Sequence, residues 1–561
     1  MVYASQIAPD AEFDYVIVGA GSAGCVLAHR LSSDPSVRVA LLEAGPRDDS
    51  ALIRTPAAVG ALLRHPLYNW NFRTTPQRAL NNRVIPVPRG RVLGGTGSIN
   101  GMVYTRGHPK DFDEWARAGC RGWSYRDVLP YFIRSENNEA WPDSPYHGVG
   151  GPMNVIDIVP HNPLVDRFVD AAASLGYRRC EDFNAGEPDG FGPRQATIRR
   201  GRRESTAAAF LRPAVHRGNL AIFTNTLARR ILIESGRATG VEYERGGAVA
   251  RVKGRAEVIL CAGAIGSPHL LMLSGVGDSG ALRPLGIVPR CHLPAVGANL
   301  QDHLAITIAM RTQSTESYGL SWRTLPRALW TLADYVFRHR GALASNVFEA
   351  HGFVRTQPAI ERPDVQIIFI PAHRNASGFP IPIGHGLGIN VALLRPWSRG
   401  TISLAGPDPH LAPAIDPNVL SVPSDLNPLI RGFRIARSIL RAPAFESCVA
   451  TELAPGIEVQ TDREIEEYVR RSAFTVFHPC GTCRMGGDAD SVVDAQLRVR
   501  GVTGLRVADA SVFPTIVGGN TNAAVVMVAE KAADLIRSVA PPLPVKGIGE
   551  RSRLALEVVR T

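Results

Sequence analysis

The chain has 561 residues, 45% of them hydrophobic and 20% charged, with a formal charge of +11. The length is more than one hydrophobic core serves and predicts two domains, one inserted into the other; the balance excludes a disordered chain. Only four lysines occur, so nearly all positive charge is arginine, scattered apart from short clusters such as Arg199–Arg203, a pattern that disfavours a nucleic-acid partner and leaves weak attraction to anionic surfaces open.

Residues 14–18 (DYVIV) read as a short buried strand and 22–32 as a helix. Between them VIVGAGSAG supplies Gly19-x-Gly21-x-x-Gly24, so Gly19, Ala20, Gly21, Ser22, Ala23 and Gly24 form a strand-to-helix turn. Gly19 permits the tight turn, Gly21 lets backbone approach a pyrophosphate, and Gly24 lets helix and strand close up, with the helix N-terminus facing the anion. VRVALLEAG (37–45) reads as a second strand ending at Glu43 and Ala44. Glu43 can accept from a ribose 2′-hydroxyl and would repel a 2′-phosphate. An incidental Gly-rich turn is the competing reading, and this context weighs against it. The fingerprint alone does not separate FAD from NAD.

Residues 51–105 are loop-rich, and 205–215 look helical. AIFTN (221–225), ARRILIES (228–235) and GVEYERG (240–246) read as consecutive strands of an antiparallel meander, and AEVILCAGAIGSP (256–268) as a buried strand leading into a helix. From 311 to 472 irregular stretches alternate with strands such as DVQIIFI (364–370) and GTISLAG (400–406). The loop FHPCGTCRMGG (477–487), the strand LRVAD (505–509) and a helix over 523–539 follow; the Pro-rich tail is peripheral, its last turn helical. No stretch approaches about 18 unbroken apolar residues, so none is expected to span a membrane. The N-terminal residues lack a basic region before an apolar core. Eight irregularly spaced cysteines fit reduced thiols. The expectation is a cytoplasmic protein, with peripheral attachment to a membrane left open.

In the 477–487 loop, Cys480-x-x-Cys483 could be half a zinc site or a redox dithiol. No second Cys or His pair stands at finger-like spacing, and the context of a thioredoxin motif is absent, so no metal is expected and the cysteines read as small loop residues.

Three further blocks carry a resemblance: GRVLGGTGSINGMVYTRG (90–107), GAIGSPHLLMLSGVG (263–277) and GGNTNA (518–523). With YNWNF (68–72) and the HG-x-x-GP of 147–152, they make the chain resemble the glucose–methanol–choline (GMC) oxidoreductases from about residue 12 to 539, with Gly97 where serine is common. The resemblance implies an α/β fold, α+β overall: a Rossmann-like FAD-binding domain (11–155, 200–310 and 473–540), an inserted substrate domain built on an antiparallel sheet (156–199 and 311–472), and a tail (541–561). It implies FAD contacts from Trp70, Arg91, Gly94, Gly95, Thr96, Asn100, Gly101, Met102 and Val103. Ala228 is expected near the adenine, Asp509 and Ala510 near the ribityl and pyrophosphate, with Ala262, Gly263, Asn520 and Thr521 completing the set. Some members tether FAD through a histidine where this chain has Ile99, which has no nucleophilic atom, so noncovalent FAD is expected.

His478 matches the family's catalytic histidine and Asn520 its partner. Alcohol oxidation removes a proton from O–H and a hydride from the α-carbon; a neutral imidazole can take the first and the flavin the second. Glu349 matches a glutamate of the choline-oxidising members, where Trp70 and Phe477 would offer aromatic faces to a quaternary ammonium; a purely structural carboxylate is an equal reading. The implied partners are a small alcohol, either choline or a primary aliphatic or aromatic alcohol, and an electron acceptor. Dehydrogenase chemistry with a quinone or carrier is preferred to oxidase chemistry with oxygen. A lyase of the same family, which commonly has a second histidine at the Asn520 position, and a noncatalytic flavoprotein are the competing classes.

Overall fold

The computed structural model describes residues 11–159, 161–375, 383–540 and 542. Two seven-stranded sheets, each with its own apolar core, organise them. The first runs Leu220–Phe223, Val39–Leu42, Glu12–Val18, Ala248–Leu260, Arg237–Arg245, Thr226–Glu234, with Leu505–Val507 also paired to Ala248–Leu260. The layer from Leu220–Phe223 to Leu505–Val507 is parallel. Parallel strands are covered on both faces, and Val39–Leu42 (VALL) is accordingly buried at every residue. The helix Ser22–Leu31 packs on this sheet and against Asn522–Arg537, so the Gly-rich turn is clamped between the chain's two ends.

The expected meander is corrected at its first member. Leu220–Phe223 runs parallel to Val39–Leu42, and the antiparallel ribbon consists of Thr226–Glu234, Arg237–Arg245 and Ala248–Leu260. The last strand starts at 248 rather than 256. Its first half (AVARVKG) is largely exposed and has charged residues between its apolar ones, so it does not read as core strand; parallel pairing with Glu12–Val18 begins at Lys253, and only the last residues, VIL, are buried one after another.

The second sheet is antiparallel, ordered Val449–Ala454, Leu304–Thr312, Gly386–Leu393, Val365–Ile370, Ala350–Val354, Gly190–Pro193, with Phe474–Thr475 also on Leu304–Thr312. Helices Leu164–Ser174, Leu426–Leu440 and Asp462–Ser472 share its core. The last of these starts from a capping box between Thr461 and Glu464 and ends in Arg470 and Arg471, which suit the helix dipole. Leu304–Thr312 lies inside this sheet, so the boundary expected at 310 cuts a strand; Phe474–Thr475, expected in the nucleotide-binding part, pairs with it. The chain leaves the second sheet at His303 and again at Val476, side by side. The HG-x-x-GP stretch is a joint: His147 is held between Glu136 (2.8 Å) and Asp182 (2.9 Å), and a Cβ on Gly148 would stand 2.0 Å from the Ile133 carbonyl oxygen. The helical turn expected at the end of the tail lies outside the described residues.

Candidate active site

A cavity of about 960 Å³ is lined by residues of both sheets. Its lining includes Gly19, Gly21, Ser22, Ala23, Glu43 and Ala44 of the first turn and second strand, Ala228, Ala262 and Gly263, Trp70, Gly95, Thr96, Asn100, Gly101, Met102 and Val103, and Phe477, His478, Asp509, Ala510, Asn520 and Thr521. Four residues expected at the cofactor stand behind this wall. Ala20 N–H donates to Glu43 Oε2 (2.9 Å), and Gly94 N–H to the Ala20 carbonyl (2.7 Å). Gly24 packs on the Gly19 carbonyl, where a Cβ would come within 1.9 Å. The Arg91 guanidinium lies over the Trp70 ring, 4.9 Å from its centroid.

The residues fit a dinucleotide. The cradle is bare backbone: a Cβ on Gly95 would lie 2.7 Å from Gly21 Cα, and one on Gly19, at φ 96°, 2.6 Å from the Cys261 carbonyl oxygen. Glu43 is fixed by N–H donors of Ala20 and Gly45 (2.8 Å), and burial pushes its carboxyl up to about 7. Asp509 accepts from Gly263 N–H (2.9 Å), Ser267 Oγ–H (2.5 Å) and Ser511 N–H (2.8 Å), tying the last strand's end to the neighbouring helix start. The volume is at the top of the range for small-molecule sites, as the FAD implied by the motifs requires. Ile99 is buried among Ile53, Leu62 and Val92.

His478 sits in a chain of hydrogen bonds whose direction can be worked out from its ends. The Leu394 carbonyl can only accept, so His303 Nε2, 3.2 Å away, carries a hydrogen. Burial, then Arg395, pushes His303 down to about 3, so its ring is neutral and Nδ1 is a lone pair. His478 Nδ1 is 3.0 Å from that lone pair and therefore donates. Burial, then His303, Arg89 and Arg194, hold His478 well below the ordinary imidazole value, so it too is neutral, and its Nε2 carries a lone pair. At the other end Thr105 Oγ accepts from Asn520 N–H (3.0 Å) and donates to Asn520 Oδ1 (3.4 Å), turning Asn520 Nδ2 toward His478 Nε2 at 3.1 Å. An alcohol between these groups would give its proton to Nε2 and accept from the amide.

Sequence reasoning missed the residues that hold this imidazole. Asp302 Oδ1 accepts from the backbone N–H of His303 and of His478 (both 2.8 Å), and Thr475 Oγ donates to Asp302 Oδ2. Phe477 takes a left-handed backbone, φ 70°, its carbonyl accepting from Arg89 Nη2 (2.5 Å). The backbones of Gln301 and Cys480 pair reciprocally, which sets the 477–487 loop beside Gln301–His303. Gln-Asp-His matched no motif, and nothing in the linear order pairs residue 302 with 478. Cys480 and Cys483 are fully buried free thiols, and no group of metal-holding side chains occurs among the described residues. His269 also lines the cavity, lowered to about 4 by burial.

Glu349 does not line the cavity. Its carboxylate is buried and accepts from Asn162 N–H (2.8 Å), Tyr318 Oη–H (2.7 Å) and Ser345 Oγ–H, so both its oxygens are engaged away from the cavity, whose wall Tyr318 forms on that side. The carboxylates on the wall are Glu43 and Asp509; Arg89, Arg194 and Arg374 line it with His478. Arg194 is 2% exposed, and its Nε and Nη2 have no partner.

Comparison with known proteins agrees with this geometry. Family models described as GMC oxidoreductase match residues 13–305 and 396–529. An alcohol dehydrogenase (acceptor) of Pseudomonas putida is 44% identical over 93% of this chain and 95% of its own. The mitochondrial choline dehydrogenase of Homo sapiens is 42% identical over 94% and 90%. Pyridoxine 4-oxidase from Mesorbium loti superposes with a TM-score of 0.86 at 33% identity, covering 94% of this chain and 100% of that one. Two family models spanning most of the chain, and relatives above 40% identity along nearly all of it, place this protein in the GMC oxidoreductase family.

Proposed function

We propose that this FAD-dependent oxidoreductase, which acts on the CH–OH group of an alcohol, uses His478 Nε2 as the base for the hydroxyl proton. The observation that carries the reading is the hydrogen-bond chain from Leu394 through His303 and His478 to Asn520, which keeps the hydrogen off His478 Nε2 and sets that nitrogen and the Asn520 amide together on the cavity wall, where an alcohol oxygen can enter between them. Asn520 Nδ2 holds the substrate oxygen and, unlike a second base, does not compete for its proton. As the proton moves, the imidazolium forms in a buried site and draws its counter-charge from the alkoxide beside it, which favours transfer in step with loss of the hydride. Bound FAD supplies the acceptor for that hydride. With Ile99 buried and without a nucleophilic atom, FAD is held noncovalently by the glycine cradle, Glu43 and the Asp509 cap.

The substrate in this reading is an uncharged primary alcohol rather than choline. A quaternary ammonium needs a carboxylate or an open aromatic cage; Glu349 is consumed, and the wall carries three arginines. Electrons leave to a quinone or carrier, a preference supported by the relative named alcohol dehydrogenase (acceptor); stoichiometric peroxide during turnover would reverse it. We place the enzyme in the cytoplasm on the strength of its eight unpaired cysteines. The test is anaerobic mixing of the holoenzyme with a panel of alcohols. Flavin bleaching by a neutral primary alcohol is expected, and a flavin that stays oxidised with every alcohol would support a lyase or noncatalytic role instead. His478→Ala should keep its flavin and lose about 10²–10⁴ in reduction rate.

A further inference from the structure

The helix Leu325–Arg338 wears its apolar side outward. Tyr335 is its one buried residue, while Leu325, Leu329, Trp330, Leu332, Val336 and Phe337 are 52–83% exposed, and Trp322 just before the helix is 80% exposed. On a helical wheel these six helix positions span about 160°, with Tyr335 opposite. A helix on a protein surface ordinarily turns such a stripe to the core. An apolar patch of this kind on a folded protein marks a docking face.

Charge decides what docks. Arg323, Arg327, Arg338 and Arg340 are exposed along this segment against a single acid, Asp334, itself 3.6 Å from Arg338. Exposed Arg200 and Arg202 join the far end, where Arg202 Nη2 reaches His339 Nε2 at 2.7 Å. A second copy laid face to face would set these arginines against their own kind. Tryptophan, phenylalanine and leucine flanked by arginine suit the boundary between headgroups and acyl chains, where rings bury and guanidinium groups meet anionic phosphate. No helix among the described residues is long and apolar enough to cross a membrane, so the segment would lie in the interface plane.

The patch borders the cavity. Tyr335 Oη donates to the Arg54 carbonyl (3.4 Å), and Ala342–Ala344, following the helix, packs on Pro56–Ala58, of which Ala57 and Ala58 line the cavity. On the other side Tyr318, also on the wall, leads to the exposed Leu320 and Trp322. We propose that Leu325–Arg338 docks the protein on an anionic bilayer surface, with the rim formed by residues 57–58 and 318 turned toward the lipid. This does not depend on the chemistry assigned to His478.

The test is flotation of the holoenzyme with phosphatidylcholine vesicles, with and without 30 mol% phosphatidylglycerol. Binding is expected to the anionic vesicles, with Trp fluorescence quenched by brominated acyl chains. Trp330→Ser/Phe337→Ser should abolish it. Arg323→Gln and Arg327→Gln should each weaken it about fivefold. Dye-linked oxidation of a soluble alcohol should stay unchanged in all of them, which separates this result from any failure of the proposed catalysis. Wild-type protein that stays unbound on anionic vesicles overturns the proposal. So does a concentration-dependent dimer by light scattering that Trp330→Ser/Phe337→Ser dissociates, since the occupant is then a second copy.

Discussion

His303 touches the cavity chemistry only through His478, and replacing it with leucine tests the direction of the whole hydrogen-bond chain. His303→Leu replaces the fully buried acceptor of the His478 Nδ1–H, 3.0 Å away, with an apolar side chain and leaves that donor without a partner. An unsatisfied buried donor costs about 1–3 kcal/mol. His478 escapes part of that cost by moving its hydrogen to Nε2, where it can point at the cavity, but in that tautomer Nε2 is no longer a base. The reactive tautomer is thus depleted by about 5- to 150-fold, and the flavin reduction rate should fall by that factor. The assay is anaerobic stopped-flow at saturating alcohol from pH 6 to 9, alongside flavin content and melting temperature. Because tautomerisation takes up no proton, the rate should drop by the same factor across the plateau. His303→Gln, whose amide can both donate to Leu394 and accept from His478, should recover part of the loss. A leucine variant with full flavin content that is reduced at the wild-type rate would refute the assignment of Nδ1 as donor.

Four other outcomes can be measured. His29, His108 and His269 are lowered to about 4 and His303 to about 3, mainly by burial, with His351 and His478 lowered as well. These six are neutral when folded and protonate on unfolding below pH 6.5, whereas Glu43 and Asp302, raised to about 7 and 6 by burial, oppose them, as do Asp48, Asp157, Glu204, Asp509 and His147, which are also raised. Unfolding near pH 5 should therefore take up protons, and the melting temperature should fall from pH 7 to pH 5; a rise would contradict the sign. Choline should show kcat/KM at least about 100-fold below that of a neutral primary alcohol, and Arg194→Met should narrow the gap about tenfold by removing a buried like charge. Equal efficiency for both substrates would undo the substrate reading. Gly24→Val, forced against the Gly19 carbonyl, should cost about 1–3 kcal/mol and lower the 450 nm to 280 nm absorbance ratio of the purified protein. Trichloroacetic acid should release all flavin into the supernatant, since Ile99 cannot tether it; flavin in the pellet would speak for another attachment.

Local chemistry was legible in the sequence. The glycines of the first turn could be read because their missing Cβ atoms matter within a few residues: Gly24 against Gly19, and Gly19 against the strand beside it. His478 and Asn520 were marked by the residues around them. The meander was misread because AIFTN and ARRILIES are both apolar enough to be strands, and parallel or antiparallel pairing depends on a partner 180 residues earlier.

The sequence by itself determined the nucleotide fingerprint and the oxidoreductase family, and singled out His478 as the candidate histidine, because each is written in contiguous residues whose backbone demands are short-ranged. Only the tertiary structure decided which nitrogen of His478 carries the hydrogen, since the answer comes from a carbonyl at Leu394 relayed through His303, and from Thr105 turning the amide of Asn520. It also decided that Glu349 is sealed behind Tyr318 while arginines line the cavity, and that an amphipathic helix turns its apolar side away from the core. These are facts about which side chains share a space, and a linear order of residues fixes that sharing only after two sheets have closed on each other.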